Sequence, residues 1–161
     1  MPIIKTYSRG GLNDVSLDPK KDIVISLIDP DQQSNNYGSV SAISISFSDI
    51  SDNALTLFDR FLANRADTLF KTNLLAKYMS RDWPVTPFTP WHAQQILDFV
   101  FDKGFSCNIH INCTYGRSRS IAVAQFLSLF LFPKHDLILG RDEARMNTRV
   151  FYQLTKLHFC I

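Results

Sequence analysis

Residues 105 to 132 constrain this chain more than any other stretch. Phe105 to Asn112 alternates, with Cys107, Ile109 and Ile111 on one side and Asn108, His110 and Asn112 on the other, which is the period of a short strand. Ile121 to Phe132 is almost wholly apolar and too long for an ordinary strand, so it reads as a buried helix. Between them lies Cys113-Thr114-Tyr115-Gly116-Arg117-Ser118-Arg119-Ser120. A strand that passes through a tight polar loop into a helix N-terminus makes an anion site. The loop N–H groups converge on one point, and the helix dipole adds partial positive charge there.

The residue types in the loop fill out that chemistry. Arg119 can grip two phosphate oxygens bidentately. Cys113 lies in the same positive field, which favours thiolate, the nucleophilic form. Gly116 allows a backbone conformation that a side chain would resist. Ser120 can donate a hydrogen bond to the sulfur when it departs as thiolate. Thr114, Tyr115, Gly116, Arg117 and Ser118 are the residues that would surround the bound phosphate.

This stretch resembles the signature of the protein tyrosine phosphatase superfamily: Cys, five residues, Arg, then Ser or Thr, with Gly at the fourth position of the loop. The small dual-specificity type and its compact bacterial and viral relatives are the most similar. The plain alternative is a buried Cys near a surface Arg. Asn112 departs from the family, which usually carries His just before the Cys. Asn can hydrogen-bond backbone groups, but it carries no charge. Met146-Asn147-Thr148-Arg149-Val150-Phe151 resembles the late Pro-Asn segment that opens the family's final helix, with Met146 where Pro is usual. The resemblance covers roughly residues 23–50 and 89–158. It implies no metal or other cofactor.

Around the signature, Ile23 to Ile28 is a continuous apolar run closed by Asp29-Pro30-Asp31, a central strand buried on both faces. Asp31 to Gly38 is polar and turn-rich, hence a loop. Val40 to Phe47 alternates Ile43, Ile45 and Phe47 against Ser44, Ser46 and Ser48, a half-buried strand with Asp49 just beyond it. Asp52 to Met79 has helical spacing, with Ser51 or Asp52 as N-cap. Thr89 can cap a further helix with Pro90 at its first position. Ala93, Ile96, Leu97 and Val100 make its inner face, and Gly104 ends it. Asp136 to Ala144 reads as a connector and Thr148 to His158 as a last helix. The order predicts one domain over residues 1–161, with a helical insertion at about 53–82. Its fold class is a three-layer α/β/α arrangement around a mostly parallel sheet, the Cys loop standing at the carboxyl end of a central strand, where such sheets bind ligands.

Phosphate ester cleavage must protonate the departing oxygen, and two carboxyl groups compete for that task. Asp49 follows a core strand directly, as in dual-specificity enzymes. Asp82 is nearer to Cys113 in sequence and adjoins Trp83-Pro84, similar to the Trp-Pro-Asp loop of larger tyrosine phosphatases but in the wrong order. Strand position favours Asp49. His92, on the first turn of a helix, reads as a solvated surface residue, and His110 as a packed strand residue. His135 and His158 show no metal-ligand spacing. Cys107 is a candidate for a protective disulfide with Cys113.

The expected activity is a phosphomonoester hydrolase working through a phosphocysteine. The resemblance implies phosphotyrosine proteins as substrates, with phosphoserine and phosphothreonine as further candidates. Arg117, a second cation inside the loop, raises an alternative: a polyanionic substrate such as a phosphoinositide or an RNA 5′ end. Asn112 raises another: a pseudophosphatase that holds phosphorylated partners. A net charge of +2 does not by itself argue for nucleic acid, and the 13 Phe are core material rather than a stacking platform. The longest apolar run is too short to span a bilayer. Three cysteines and no signal-peptide core fit a reducing compartment, so a cytoplasmic location is expected.

Overall fold

The computed structural model describes residues 1–50, 86–140 and 145–159. Five parallel strands form the central sheet: β1 (Ile3–Ser8), β2 (Asp22–Ile28), β3 (Ser41–Ser46), β4 (Asn108–Cys113) and β5 (Asp136–Ile138), in the spatial order β3-β2-β4-β1-β5. The helices are α1 (Arg9–Asn13), α2 (Pro90–Lys103), α3 (Arg119–Phe126, continued with wider π-type turns over Leu127–Leu131) and α4 (Thr148–Phe159). On one face α2, α3 and α4 pack together. Over the other lie α1 and the Tyr37 loop, whose phenol reaches Ser26 and Asn112 on the sheet. This is a three-layer α/β fold with an all-parallel sheet.

Every residue of β2 is buried, because both faces of a central parallel strand are covered. In β4 the alternation has physical content. Ile109, Ile111 and Cys113 enter the apolar core with Ile4, Ile23 and Ile25. The other face is polar. Asn108 accepts from the Ile3 N–H (3.1 Å) and donates to Asp22 (2.8 Å). His110 Nδ1 pairs with the Tyr7 hydroxyl at 2.9 Å. His110 Nε2 makes no hydrogen bond among the described residues, but Asp22 Oδ1 stands 3.3 Å from it, and the other polar groups of this face are paired, as buried polar groups generally are.

Two short strands were not expected. Ile3–Ser8 inserts between β4 and β5, and Asp136–Ile138, expected as part of a connector, pairs with β1. The strand expected from Phe105 begins at Asn108, since Gly104–Ser106 first form a 3₁₀ turn. In the stretch expected as one buried helix, Leu127 and Phe132 are buried but Leu129 and Phe130 between them are exposed. The expected helix at 52–79, its N-cap at Ser51 or Asp52, the insertion at 53–82, and Cys160 lie outside the described residues.

His92 is a correction: it is buried, not solvated. Its ring packs on Phe88 and Phe47, with centroids 5.6 and 5.7 Å away, and its Nδ1 accepts from the Thr89 N–H at 3.0 Å. Burial pushes His92 below the ordinary histidine value of 6.5. His110 is pushed the same way by burial, which outweighs the opposing pull of Asp22. A depressed folded-state value means that the unfolded chain takes up these protons first. Stability is therefore complete above pH 6.5 and falls as pH drops below it through the folded-state values. Urea midpoints should be lower at pH 5.5 than at pH 7.5, and His110→Gln should flatten the difference. A midpoint that does not fall between those pH values contradicts this account.

Candidate active site

β4 is the middle strand, and Cys113 is its last residue. The loop leaves the sheet there, at the carboxyl end of the strands. β1 lies alongside, with Ser8 in register with Cys113. Gly116 has φ +67°, and a Cβ on it would stand 2.6 Å from the Ser8 nitrogen and 2.7 Å from the Tyr7 carbonyl carbon. Only glycine meets both demands, the left-handed backbone and the close approach. The loop therefore rests directly on the end of β1. It is closed by the Gly116 N–H on the Cys113 carbonyl (3.3 Å) and tied to α1 by the Arg9 N–H on the Thr114 carbonyl (3.5 Å).

Cys113 is 2% exposed, and its Sγ lies 3.2 Å from Ser120 Oγ. Ser118 occupies the N-cap position of α3, yet its hydroxyl makes no capping bond. It donates instead to Asp49 Oδ1 at 2.9 Å. The first N–H groups of α3 thus lack a side-chain cap, which leaves them for an anion.

Arg119 is also 2% exposed. Its Nη1 donates to the Phe47 carbonyl at 2.7 Å. Its Nη2 donates to Asp29 Oδ1 at 2.9 Å and to Thr114 Oγ1 at 3.0 Å. The Phe47 ring lies 5.5 Å from the guanidinium carbon. Nε is buried without a hydrogen-bond partner among the described residues; Asp49 Oδ2 stands 4.0 Å away. A buried N–H with no partner is costly and is placed to receive a ligand oxygen.

Sequence reasoning missed Asp29. It follows β2, the strand beside β4, and it holds two parts of the loop at once. Besides Arg119, it accepts from Thr114 Oγ1 at 2.7 Å, while its own N–H donates to Gln32 Oε1 at 3.3 Å. The available signal was its place: a carboxylate at the carboxyl end of a central strand.

Asp49 is brought to the loop. Its Oδ1 accepts from Ser118 Oγ and, at 2.8 Å, from Asn147 Nδ2. Asn147 Oδ1 in turn accepts the Val150 N–H at 3.1 Å and so caps α4, while its own N–H reaches the Ser118 carbonyl at 3.3 Å. The late Asn segment thereby joins Asp49, the loop and the last helix. Asp82, the other candidate, lies outside the described residues. Tyr115 and Arg117 are exposed, on the rim rather than in the floor.

Asn112 is fully buried in a closed ring of three side chains. Ser26 Oγ donates to Asn112 Oδ1 (3.0 Å), Asn112 Nδ2 donates to the Tyr37 hydroxyl (2.9 Å), and that hydroxyl donates to Ser26 Oγ (3.2 Å). The ring fixes the end of β4 without a charge. A disulfide between Cys107 and Cys113 is excluded by geometry. Cys107 immediately precedes β4 and Cys113 ends it, and six residues of strand span about 20 Å, against roughly 4.4–6.8 Å between the Cα atoms of a disulfide.

Among the described residues no three His, Cys, Asp or Glu side chains are grouped as metal ligands, and no helix is long and apolar enough to cross a membrane. Comparison with known proteins adds no relative: no family model matches the chain, and no curated protein or solved structure is significantly similar to it.

Proposed function

We propose that the chain is a cysteine-dependent phosphomonoester hydrolase of the protein tyrosine phosphatase type. One observation carries the reading: Cys113, Ser120, the buried Arg119 and Asp49 converge on one loop at the carboxyl end of the central strand. In the first step the Cys113 thiolate attacks phosphorus and the bond to the leaving oxygen breaks. Asp49, as the carboxylic acid, gives that oxygen its proton. In the second step water attacks the phosphocysteine, Asp49 takes the water's proton, and the sulfur departs as thiolate. The Ser120 hydroxyl stabilises that thiolate. Arg119 and the uncapped N–H groups of α3 hold the phosphoryl oxygens throughout.

Phosphotyrosine in proteins is the favoured substrate. Arg117, exposed on the loop, supports a second reading, a polyanionic substrate. A panel of phosphotyrosine peptide, phosphothreonine peptide, phosphoinositide and triphosphorylated RNA, assayed with EDTA present, separates the two. Turnover of the tyrosine peptide is expected. Tight binding without turnover of any substrate would convert the enzyme into a phosphate-binding module. Asp49→Asn should slow a phosphoserine substrate roughly 100-fold, since general acid catalysis contributes about 10²–10⁴. It should slow para-nitrophenyl phosphate much less, because that anion leaves without help. It should also remove one limb of the pH profile. Equal slowing of both substrates would take the acid away from Asp49.

A further inference from the structure

We propose that Asp29 is a competitor built into the site, which occupies the phosphate clamp until substrate displaces it. The inference rests on the hydrolase reading and adds a control of substrate affinity to it. A guanidinium grips an anion bidentately with two N–H groups along one edge. Arg119 Nε–H is unpartnered among the described residues and meets an arriving oxygen directly. Nη2 does not. Its two protons are taken by Asp29 Oδ1 and Thr114 Oγ1. A phosphate that takes the Nε–Nη2 edge must therefore remove one of these partners. Asp29 is the one that repels it, since a dianion and a carboxylate then share one buried cation. Asp49 Oδ2 stands 4.0 Å from Nε as well, so the guanidinium already has a second carboxyl group beside it before substrate arrives.

The exchange leaves the clamp in place. When Asp29 is displaced, Arg119 is still held by the Phe47 carbonyl on Nη1, the Phe47 ring and the Thr114 hydroxyl. Asp29 keeps its own bond to Thr114 and stays poised to retake Nη2 as product phosphate leaves. Asp29 is thus a positioning residue acting through Arg119. It holds affinity for phosphate down and keeps the buried guanidinium paired between turnovers.

The test uses inorganic phosphate, titrated calorimetrically into the full chain, so that binding is read without turnover. Asp29→Asn keeps the size and the acceptor oxygen but removes the charge. It should bind phosphate about tenfold more tightly, as expected for loss of one carboxylate near a shared cation. KM for para-nitrophenyl phosphate should fall in parallel, without a rise in kcat. Asp29→Ser, which removes the charge differently, should shift affinity in the same direction should the Asn variant not fold. Asp29→Glu restores the charge and should return affinity to within about twofold of wild type. Unchanged or weaker binding by Asp29→Asn, or binding by Asp29→Glu as tight as by Asp29→Asn, overturns the proposal and leaves the hydrolase reading standing. A wild-type chain that binds no phosphate overturns both.

Discussion

Cys113→Ser should abolish turnover of para-nitrophenyl phosphate, to below about one-hundredth of wild type, while leaving the fold and phosphate binding intact. The reason is local. A hydroxyl is far less acidic than a thiol, so the nucleophile is lost. Sulfur and oxygen differ little in size, and position 113 is enclosed by core residues and Ser120, so the loop keeps its shape. The N–H groups of α3 and the Arg119 clamp do not depend on the sulfur. Circular dichroism and phosphate titration check that half of the expectation, and stopped turnover checks the other. Residual activity above that level would remove the covalent intermediate from the mechanism.

Arg119→Lys should be nearly as damaging, lowering kcat/KM by at least about 100-fold, the scale expected when one preorganised donor to the transition state is removed. The guanidinium performs three tasks at once. Nη1 holds the Phe47 carbonyl, Nη2 holds Asp29 and Thr114, and Nε faces the site. An ammonium is a point charge and cannot span these directions. Lysine should also weaken the loop itself, because the guanidinium joins the Phe47 carbonyl to the Asp29–Thr114 pair. The expected signature is a large loss on every phosphomonoester, alkyl or aryl, in contrast to the leaving-group dependence expected of Asp49→Asn. Wild-type rate and affinity in the lysine variant would show that Arg119 does not clamp phosphate.

Much of this architecture was legible because β2, β4 and α3 are strongly patterned. A seven-residue buried strand, an alternating strand and an apolar helix announce their environment, and the loop between the last two carries its chemistry in residue types. β1 was not legible. Its sequence, Ile-Ile-Lys-Thr-Tyr-Ser, buries only Ile4 and Thr6, so it has neither a continuous apolar run nor a clean alternation. Its pairing comes from distant partners that no local window contains. His92 failed for a similar reason. Helical position placed it on a first turn, but Phe47 arrives from the end of β3 and, with the nearby Phe88, covers it. Asp29 was visible as the end of a strand; its bonds to Arg119 and Thr114 exist only because β2 lies beside β4.

The position of β1 has a kinetic meaning. Ile4 pairs with Ile109, and the Ile3 N–H reaches Asn108 across a separation of 105 residues. The loop rests on the end of that strand through Gly116. Closing so long a loop of chain must precede any reward from the contacts it makes, and topologies dominated by such distant pairings fold slowly. β5 in turn pairs with β1, across a still longer stretch of chain. The loop after Cys113 therefore takes its shape from a strand whose pairing with β4 closes about a hundred residues of chain. A molecule with β2, β3 and β4 already joined would carry Cys113 at a strand end without the surface that shapes its loop, and catalytic competence would appear later than most of the helical signal during refolding.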